Sequence, residues 1–244
     1  MTRVFRQSAR VYDALCRHKD YAAASATLCA IIDRLAPRAS TLLDVGCGTG
    51  RHLSHLSERF VVEGLDLSGE MLDVARSRCP GVPFHQGSLI DFRLGKRFDV
   101  VTCLFGSIGY ARDEASLHSA VRCMVDHLQP DGLLIVEPWL TPERFISGRL
   151  VFDAVDDPDL KVARMYVAER RENLSIFDST YLVGTSAGVT SFRECQELGL
   201  FGDSAYRNAF SEAGMEVVDA TGDLFGYGLY VCRREDAAPS LGNG

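Results

Sequence analysis

The sequence predicts an α/β protein: a doubly wound parallel sheet carrying a small antiparallel β insertion late in the chain. Three observations lead there. Between residues 41 and 137, short continuously apolar runs alternate with helical patterns, as strands buried on both faces of a parallel sheet do. A glycine-rich turn joins the first of these runs to a helix. Beyond Trp139 the texture changes to period-two alternation broken by short polar turns, which marks antiparallel hairpins.

Taken in order, Val11–Cys16 and the Ala-rich stretch Tyr21–Leu35 read as helices, the second stopped by Pro37. Thr41–Val45 is a strand, Arg51–Arg59 a helix, Phe60–Leu65 a strand. Ser68 caps a helix that Pro80 ends, and Val82–Gln86 is a short strand. Phe98–Phe105 is a strongly apolar strand, Asp113–Leu128 a helix and Gly132–Glu137 a strand. Lys161–Glu169, Leu174–Val183 and Val189–Leu200 form three antiparallel strands. Ser204–Ala213 is a helix with Gly214 at its end, and Met215–Ala220 and Leu229–Arg233 close the fold as a strand pair. The polar tail from Glu235 reads as disordered.

At 244 residues the chain has room for a full core without staples. With 46% hydrophobic and 24% charged residues it is not a disordered chain, a collagen or a coiled coil. Acidic residues outnumber basic ones 33 to 26, a net charge of −7. No surplus of Lys and Arg is available to neutralise nucleic-acid phosphates or an anionic membrane. The eight cysteines are scattered, without a C-x-x-C pair, and read as thiols in a reducing compartment rather than disulfides or a zinc site. His52 and His55 lack a partner pattern, so no metal is expected. The N-terminus has no signal-peptide core, and no apolar run nears the roughly 20 residues that span a bilayer. The expectation is a soluble cytoplasmic protein.

The sharpest local feature is Asp44-Val45-Gly46-Cys47-Gly48-Thr49-Gly50, placed between a strand and a helix. Glycines there allow a tight turn and close approach of a ligand to the backbone, beside the free N–H groups of the helix start. Asp66 ends the next strand at the spacing where an acidic side chain accepts both hydroxyls of a ribose. The spacing is G-x-G-x-G after an aspartate, not the G-x-G-x-x-G of dinucleotide sites.

With these residues the sequence resembles the class I S-adenosylmethionine-dependent methyltransferases. LLDVGCGTG at 42–50, GLDLSGEML at 64–72 and FDVVTCLF at 98–105 look like three of their motifs. The resemblance implies a Rossmann-like sheet of seven strands with the last antiparallel. It implies that Gly46 and Gly48 pass the methionyl part of S-adenosylmethionine, that Asp66 holds the ribose, and that Leu67 and Met71 flank the adenine. Ser88 and Leu89 are implied at the adenine edge, where the family usually has aspartate in place of Ser88. Leu104 and Phe105 are implied near the sulfonium.

A closer resemblance rests on Tyr12-Asp13, Lys19-Asp20-Tyr21, Phe105–Tyr110 (FGSIGY), Val136–Phe145 (VEPWLTPERF) and the late β insertion. These are similar to the N,N-dimethyltransferases of nucleotide-linked amino sugars in macrolide antibiotic pathways. The resemblance implies an N-terminal helical cover at 1–37, a cofactor-binding domain at 38–138 and 201–234, a substrate-side β insertion at 139–200 and a tail at 235–244. Tyr12 and Tyr21 become cofactor contacts. Tyr110 takes the place of a His or Tyr beside the substrate amine, and Trp139 opens a loop facing the sugar nucleotide. Arg164, Arg170 and Arg171 lie in the insertion, where a guanidinium can meet a diphosphate. Phe5 stands where that group carries a tyrosine near the substrate, and Gly226-Tyr227-Gly228 stands where it has Gly-Arg-Gly. A homodimer is allowed.

Methyl transfer from a sulfonium is a direct displacement, so the protein has mainly to align the nucleophile and exclude water. An amine needs no strong base, and Tyr110 is expected to orient it, since a phenol near pKa 10 is a poor base. His127 reads as a helix-end histidine. Two readings stay open beside N-methylation of a small-molecule amine: O- or carboxyl methylation of another metabolite, and cofactor binding without catalysis.

Overall fold

Apolar runs short enough to cross a sheet once, each followed by a helix, build the central layer of the computed structural model, which describes residues 5–235. The parallel strands are β1 (Thr41–Val45), β2 (Val61–Asp66), β3 (Phe84–Gln86), β4 (Phe98–Cys103) and β5 (Leu128–Val136). Four later strands, β6 (Leu150–Asp156), β7 (Lys161–Arg171), β8 (Leu174–Thr185) and β9 (Gly188–Gly199), form a separate antiparallel sheet. The chain then returns as β10 (Met215–Asp219) and β11 (Tyr230–Arg234) to the edge of the first sheet. Its order is β10-β11-β5-β4-β1-β2-β3, with β11 antiparallel to both neighbours. This is the expected seven-stranded class I arrangement.

The helices are α1 (Ala9–Leu15), α2 (Tyr21–Leu35), α3 (Arg51–Leu56), α4 (Gly69–Arg78), α5 (Glu114–Asp126) and α6 (Asp203–Glu212). Three of them, α2, α4 and α5, start at side-chain caps: Asp20 accepts from the Ala23 N–H at 2.9 Å, Ser68 from Met71 at 3.2 Å and Asp113 from Ser116 at 2.7 Å. Both faces of the sheet are buried. Leu28, Ile32, Leu53 and Leu56 cover one face, and Leu117, Val121, Tyr206 and Phe210 cover the other. No described helix is long and apolar enough to cross a membrane.

The second sheet has four strands, not three. Its first strand, Leu-Val-Phe-Asp-Ala-Val-Asp, turns Leu150 and Phe152 outward, 69% and 61% exposed, while Val155 faces in. Apolar residues on the open face and acids between them hide the alternation that marks a half-buried strand. α3 also stops at Leu56 rather than Arg59. From residue 236 on, the expected tail lies outside the described residues.

The order of the first sheet places its switch point between β1 and β4, where an open α/β sheet binds ligands. α1 lies across that end. Val11 packs with Val155, Val162 and Tyr181 of the second sheet. The Ser8 hydroxyl donates to Glu194 at 2.5 Å, and the Thr49 hydroxyl donates to Asp13 at 2.7 Å. Asp13 also pairs with Arg78. The N-terminal segment is therefore tied to both sheets over the mouth of the crevice.

Candidate active site

A cavity of about 470 Å³ runs from the glycine loop, beneath α1, to the second sheet. At one end the loop is anchored by the Gly46 and Cys47 N–H groups, which donate to the Leu65 carbonyl at 2.7 and 3.0 Å. Gly46, Gly48 and Gly50 have φ of +75°, +53° and +74°, where an L side chain is strained. Gly46 and Gly48 both line the cavity, but for different reasons. A Cβ on Gly46 would lie 2.7 Å from that of Ser107, so the glycine makes room for the turn after β4. A Cβ on Gly48 would meet nothing within 4 Å. The open space a ligand can use is therefore at Gly48.

Asp66 lines the same end. One carboxylate oxygen accepts the Gly48 N–H and the other the Ser68 N–H, each at 2.8 Å. Each oxygen keeps a second lone pair, so the carboxylate can fasten the loop and still accept two ribose hydroxyls. Burial raises its pKa from the ordinary value, opposed by the Ser68 and Gly48 amides. Leu67, Met71, Ser88 and Leu89 form the adjoining wall. The Ser88 hydroxyl turns back toward the Ile90 N–H at 3.5 Å, a distance at the limit of a hydrogen bond. Behind the loop, Asp44 is buried with the Thr102 hydroxyl donating to it at 2.8 Å, and burial pushes its carboxyl up to about 7.

Of the residues the sequence assigned to the cofactor, the cavity also meets Tyr12 and Phe105, but not Tyr21 or Leu104. Leu104 is 3% exposed in the core beside Val100 and Leu133. Tyr21 packs edge-on against His52 at 5.0 Å and Phe225 at 5.5 Å, with the Arg51 guanidinium 4.6 Å over its ring. Leu104 falls on the same side as Val100 and joins its core cluster, whereas Phe105 has left the strand in a turn with φ +54° and reaches the cavity.

The middle of the cavity is aromatic. Phe5 meets Tyr12 at 5.5 Å and Tyr110 at 6.1 Å, both edge to face. Tyr110 sits on the 3-10 turn Ser107–Ala111 after β4. Burial raises its phenol well above the usual value, with Asp66 adding to the rise, which suits orientation rather than base catalysis. Trp139 and Tyr227 lie at 5.3 Å with rings tilted by 33°. Trp139 is an anchor as well as a wall: its indole N–H donates to Ser175 at 3.0 Å, and that hydroxyl donates to the Leu198 carbonyl at 3.0 Å.

Arg164 lines the far end, where its Nε and Nη2 donate to Asp153 at 2.9 and 2.6 Å. Its charge is thus matched by a carboxylate. Arg170 donates to the Glu172 and Pro142 carbonyls and Arg171 pairs with Glu169; neither lines the cavity. His127 is a satisfied core histidine: its Nε2 accepts the Leu94 N–H at 2.9 Å, so Nδ1 donates to the Cys123 carbonyl at 2.7 Å.

Sequence reasoning missed Asp153, Lys19 and Glu137. Asp153 lies on the unassigned strand. Lys19 lines the cavity with its ammonium 5.4 Å from the Phe105 ring and 5.2 Å from that of Phe225. Glu137 is fully buried, and one oxygen accepts the Phe105 N–H at 2.6 Å. Burial pushes its carboxyl up to about 7, against the hydrogen bond from Phe105. Lys19 and Glu137 at least stand inside the stretches Lys19-Asp20-Tyr21 and Val136–Phe145; Asp153 had no local signal.

The glycine loop, the open face at Gly48 and the doubly accepting Asp66 fit a nucleoside with a free ribose. Comparison with known proteins decides which one. A methyltransferase domain model matches residues 42–132. A dTDP-3-amino-3,6-dideoxy-α-D-glucopyranose N,N-dimethyltransferase of Streptomyces fradiae is 41% identical over 87% of this chain and 84% of its own. The chain belongs to the amino-sugar N,N-dimethyltransferase family of S-adenosylmethionine-dependent methyltransferases. It is an enzyme, and S-adenosylmethionine is its cofactor. Among solved structures, DesVI of Streptomyces venezuelae is 38% identical with a TM-score of 0.87, over 93% of this chain and 98% of that one. CalS10, a Micromonospora echinaspora amino pentose methyltransferase of calicheamicin biosynthesis solved with S-adenosylmethionine bound, is 39% identical with a TM-score of 0.82. Those figures cover 94% of this chain and 97% of CalS10.

Proposed function

We propose that the enzyme methylates the amine of a nucleotide-linked deoxyamino sugar, as the relatives' names describe for them. The observation that carries this reading is the continuity of the cavity. One end meets the nucleoside requirements of Gly48 and Asp66, the middle presents Phe105 and Tyr110, and the other end reaches Trp139, Tyr227 and Arg164 of the acceptor side. When bound, S-adenosylmethionine supplies the activated methyl group. The chain's own residues do the remainder. Phe5, Tyr12, Phe105 and Trp139 exclude water from the meeting point, and the Tyr110 hydroxyl orients the amine lone pair. The raised phenol leaves the ammonium proton to be lost before attack rather than to Tyr110.

Arg164 already shares its charge with Asp153. A guanidinium and a carboxylate side by side offer donors and acceptors to sugar hydroxyls as readily as to a phosphate. The test is mass spectrometry of the purified enzyme with S-adenosylmethionine and dTDP-3-amino-3,6-dideoxyglucose. A product gaining one or two CH2 units on nitrogen is expected. No gain with this acceptor or with its 4-amino isomer, but methylation of a hydroxyl or carboxyl compound, refutes the reading.

A further inference from the structure

Of the five parallel strands, only β4 is followed within two residues by two consecutive residues of positive φ, Phe105 at +54° and Gly106 at +70°. Glycine adopts that conformation freely; phenylalanine does so against its Cβ. Something must hold it. The β4–β5 ladder ends at Cys103 and Val136, and the Phe105 N–H beyond it has no backbone partner there. It donates instead to Glu137, the residue that follows β5, at 2.6 Å. The Glu137 backbone N–H in turn donates to the Cys103 carbonyl at 2.9 Å, so the side chain starts from the last rung of the β4–β5 ladder. It is fully buried; its other oxygen meets no donor at ordinary hydrogen-bond distance, though the Phe225 amide is near enough to help hold the carboxylate down against burial. A buried acid is costly, and the hydrogen bond this one accepts at ordinary distance comes from the Phe105 amide.

The turn it holds carries three cavity residues. The Phe105 ring faces Phe225 at 5.2 Å and Tyr227 at 6.2 Å. The Ser107 hydroxyl donates to the Gly46 carbonyl at 3.2 Å, tying the turn to the glycine loop. Tyr110 follows one helical turn later. Gly106 lies under Trp139, where a Cβ would come within 2.6 Å of the indole. Rotating the Leu104–Phe105 peptide would therefore move the cofactor-side ring, the acceptor-side phenol and the Trp139 contact together.

We infer that Glu137 is a positioning residue for methyl transfer: through the Phe105 amide it fixes the left-handed turn that aligns Phe105 and Tyr110 at the meeting point of donor and acceptor. The catalytic part of this inference rests on the proposed amino-sugar acceptor; the structural part does not. Alignment errors of about 1 Å cost catalysis on the order of a hundredfold while leaving binding largely in place. A side chain that merely fills space would instead affect stability alone.

Three variants separate reach, charge and volume. E137Q keeps the reach and an oxygen acceptor for the Phe105 N–H. E137D keeps the charge but is one methylene too short. E137L keeps the volume without an acceptor. The sole tryptophan reports the turn independently of any acceptor. With S-adenosylmethionine and dTDP-3-amino-3,6-dideoxyglucose, E137D and E137L should lose at least about tenfold in kcat, with acceptor KM within about threefold. Their Trp139 emission, read on the protein alone, should shift from that of the parent. E137Q should restore both readouts. If E137L does not fold, E137D carries the test; if neither folds, the role is structural and the inference fails. Parent-like kcat and emission in a folded E137D overturn it, and so does an E137Q as impaired as E137D. Failure of the parent enzyme to methylate this sugar would refute the functional reading instead, leaving the emission spectra to decide the role of Glu137.

Discussion

Replacing Asp66 by asparagine keeps the shape of the side chain but removes its charge and one of its two acceptors. In the structure the two oxygens hold the Gly48 and Ser68 N–H groups, both at 2.8 Å. Only their remaining lone pairs face a ribose. Asparagine has one oxygen, so its NH2 meets either an amide N–H or a ribose hydroxyl as a second donor. A hydrogen bond to a charged acceptor contributes about 1.5–3 kcal/mol. Loss of one such bond, or of two at the lower bound, weakens S-adenosylmethionine binding by about tenfold to about 140-fold, at about 1.4 kcal/mol per decade. Isothermal titration calorimetry reads this directly.

Thermal unfolding of the same sample separates binding from folding. Asp66→Asn should unfold near the parent temperature, because it also removes the cost of a partly buried charge. Asp66→Ala strips the acceptor from both amides and should lower the midpoint by a few degrees, since about 1 kcal/mol shifts a chain of this size by about 2–4 °C. The pH dependence adds a sign. The Asp66 carboxyl is raised by burial, so the carboxylate that binds ribose is lost on acidification sooner than at an ordinary aspartate. Affinity should fall along that limb in the parent and stay flat in Asp66→Asn. An asparagine variant that binds S-adenosylmethionine with parent affinity would refute the assignment of the ribose to Asp66.

Substitutions at Gly46, Gly48, Tyr110 and Asp44 probe neighbouring parts of the site. Gly46→Ala should destabilise through its clash with Ser107, and Gly46→Ala/Ser107→Gly should recover part of the melting temperature; Gly48→Ala, whose Cβ faces open space, should cost only the roughly 1–2 kcal/mol of a left-handed alanine yet weaken cofactor binding more. Tyr110→Phe should lose about 0.5–1.5 kcal/mol of transition-state alignment, at most about tenfold in kcat/KM, and keep the rise in rate as the acceptor ammonium deprotonates; a loss near a thousandfold would make Tyr110 an obligatory base. Asp44 has its folded carboxyl raised to about 7 from an ordinary 3.8, so the unfolded chain ionises first. Parent stability should therefore fall as pH rises between those values. Asp44→Asn should flatten that fall by an amount on the order of a few kcal/mol, read by urea melts at pH 5 and pH 8.

The local signals in the sequence were those of backbone chemistry. The run Leu42–Val45, the glycines after it and Asp66 at the end of the following strand specify a strand, a tight turn and an acid at a sheet edge, because apolar periodicity and glycine tolerance act over a few residues. They were enough for the doubly wound sheet and the cofactor end of the site, and the longer stretches FGSIGY and VEPWLTPERF carried the family. The sequence could not show what a second element imposes on these residues. Whether Gly46 is needed for a ligand or for Ser107 depends on how the turn after β4 packs on the loop after β1. Leu104 and Phe105 are adjacent apolar residues, and only the end of β4 sends one to the core and the other to the cavity. β6 escaped notice because Leu150 and Phe152 face outward while only Val155 is buried, which blurs the usual alternation, and Asp153 went unseen with it. Arg164 reads in the sequence as a free cation, yet β6 lies beside β7 and brings that carboxylate to it. These are contacts between residues far apart in the chain, and their partners are chosen by strand order and packing, which no local pattern records.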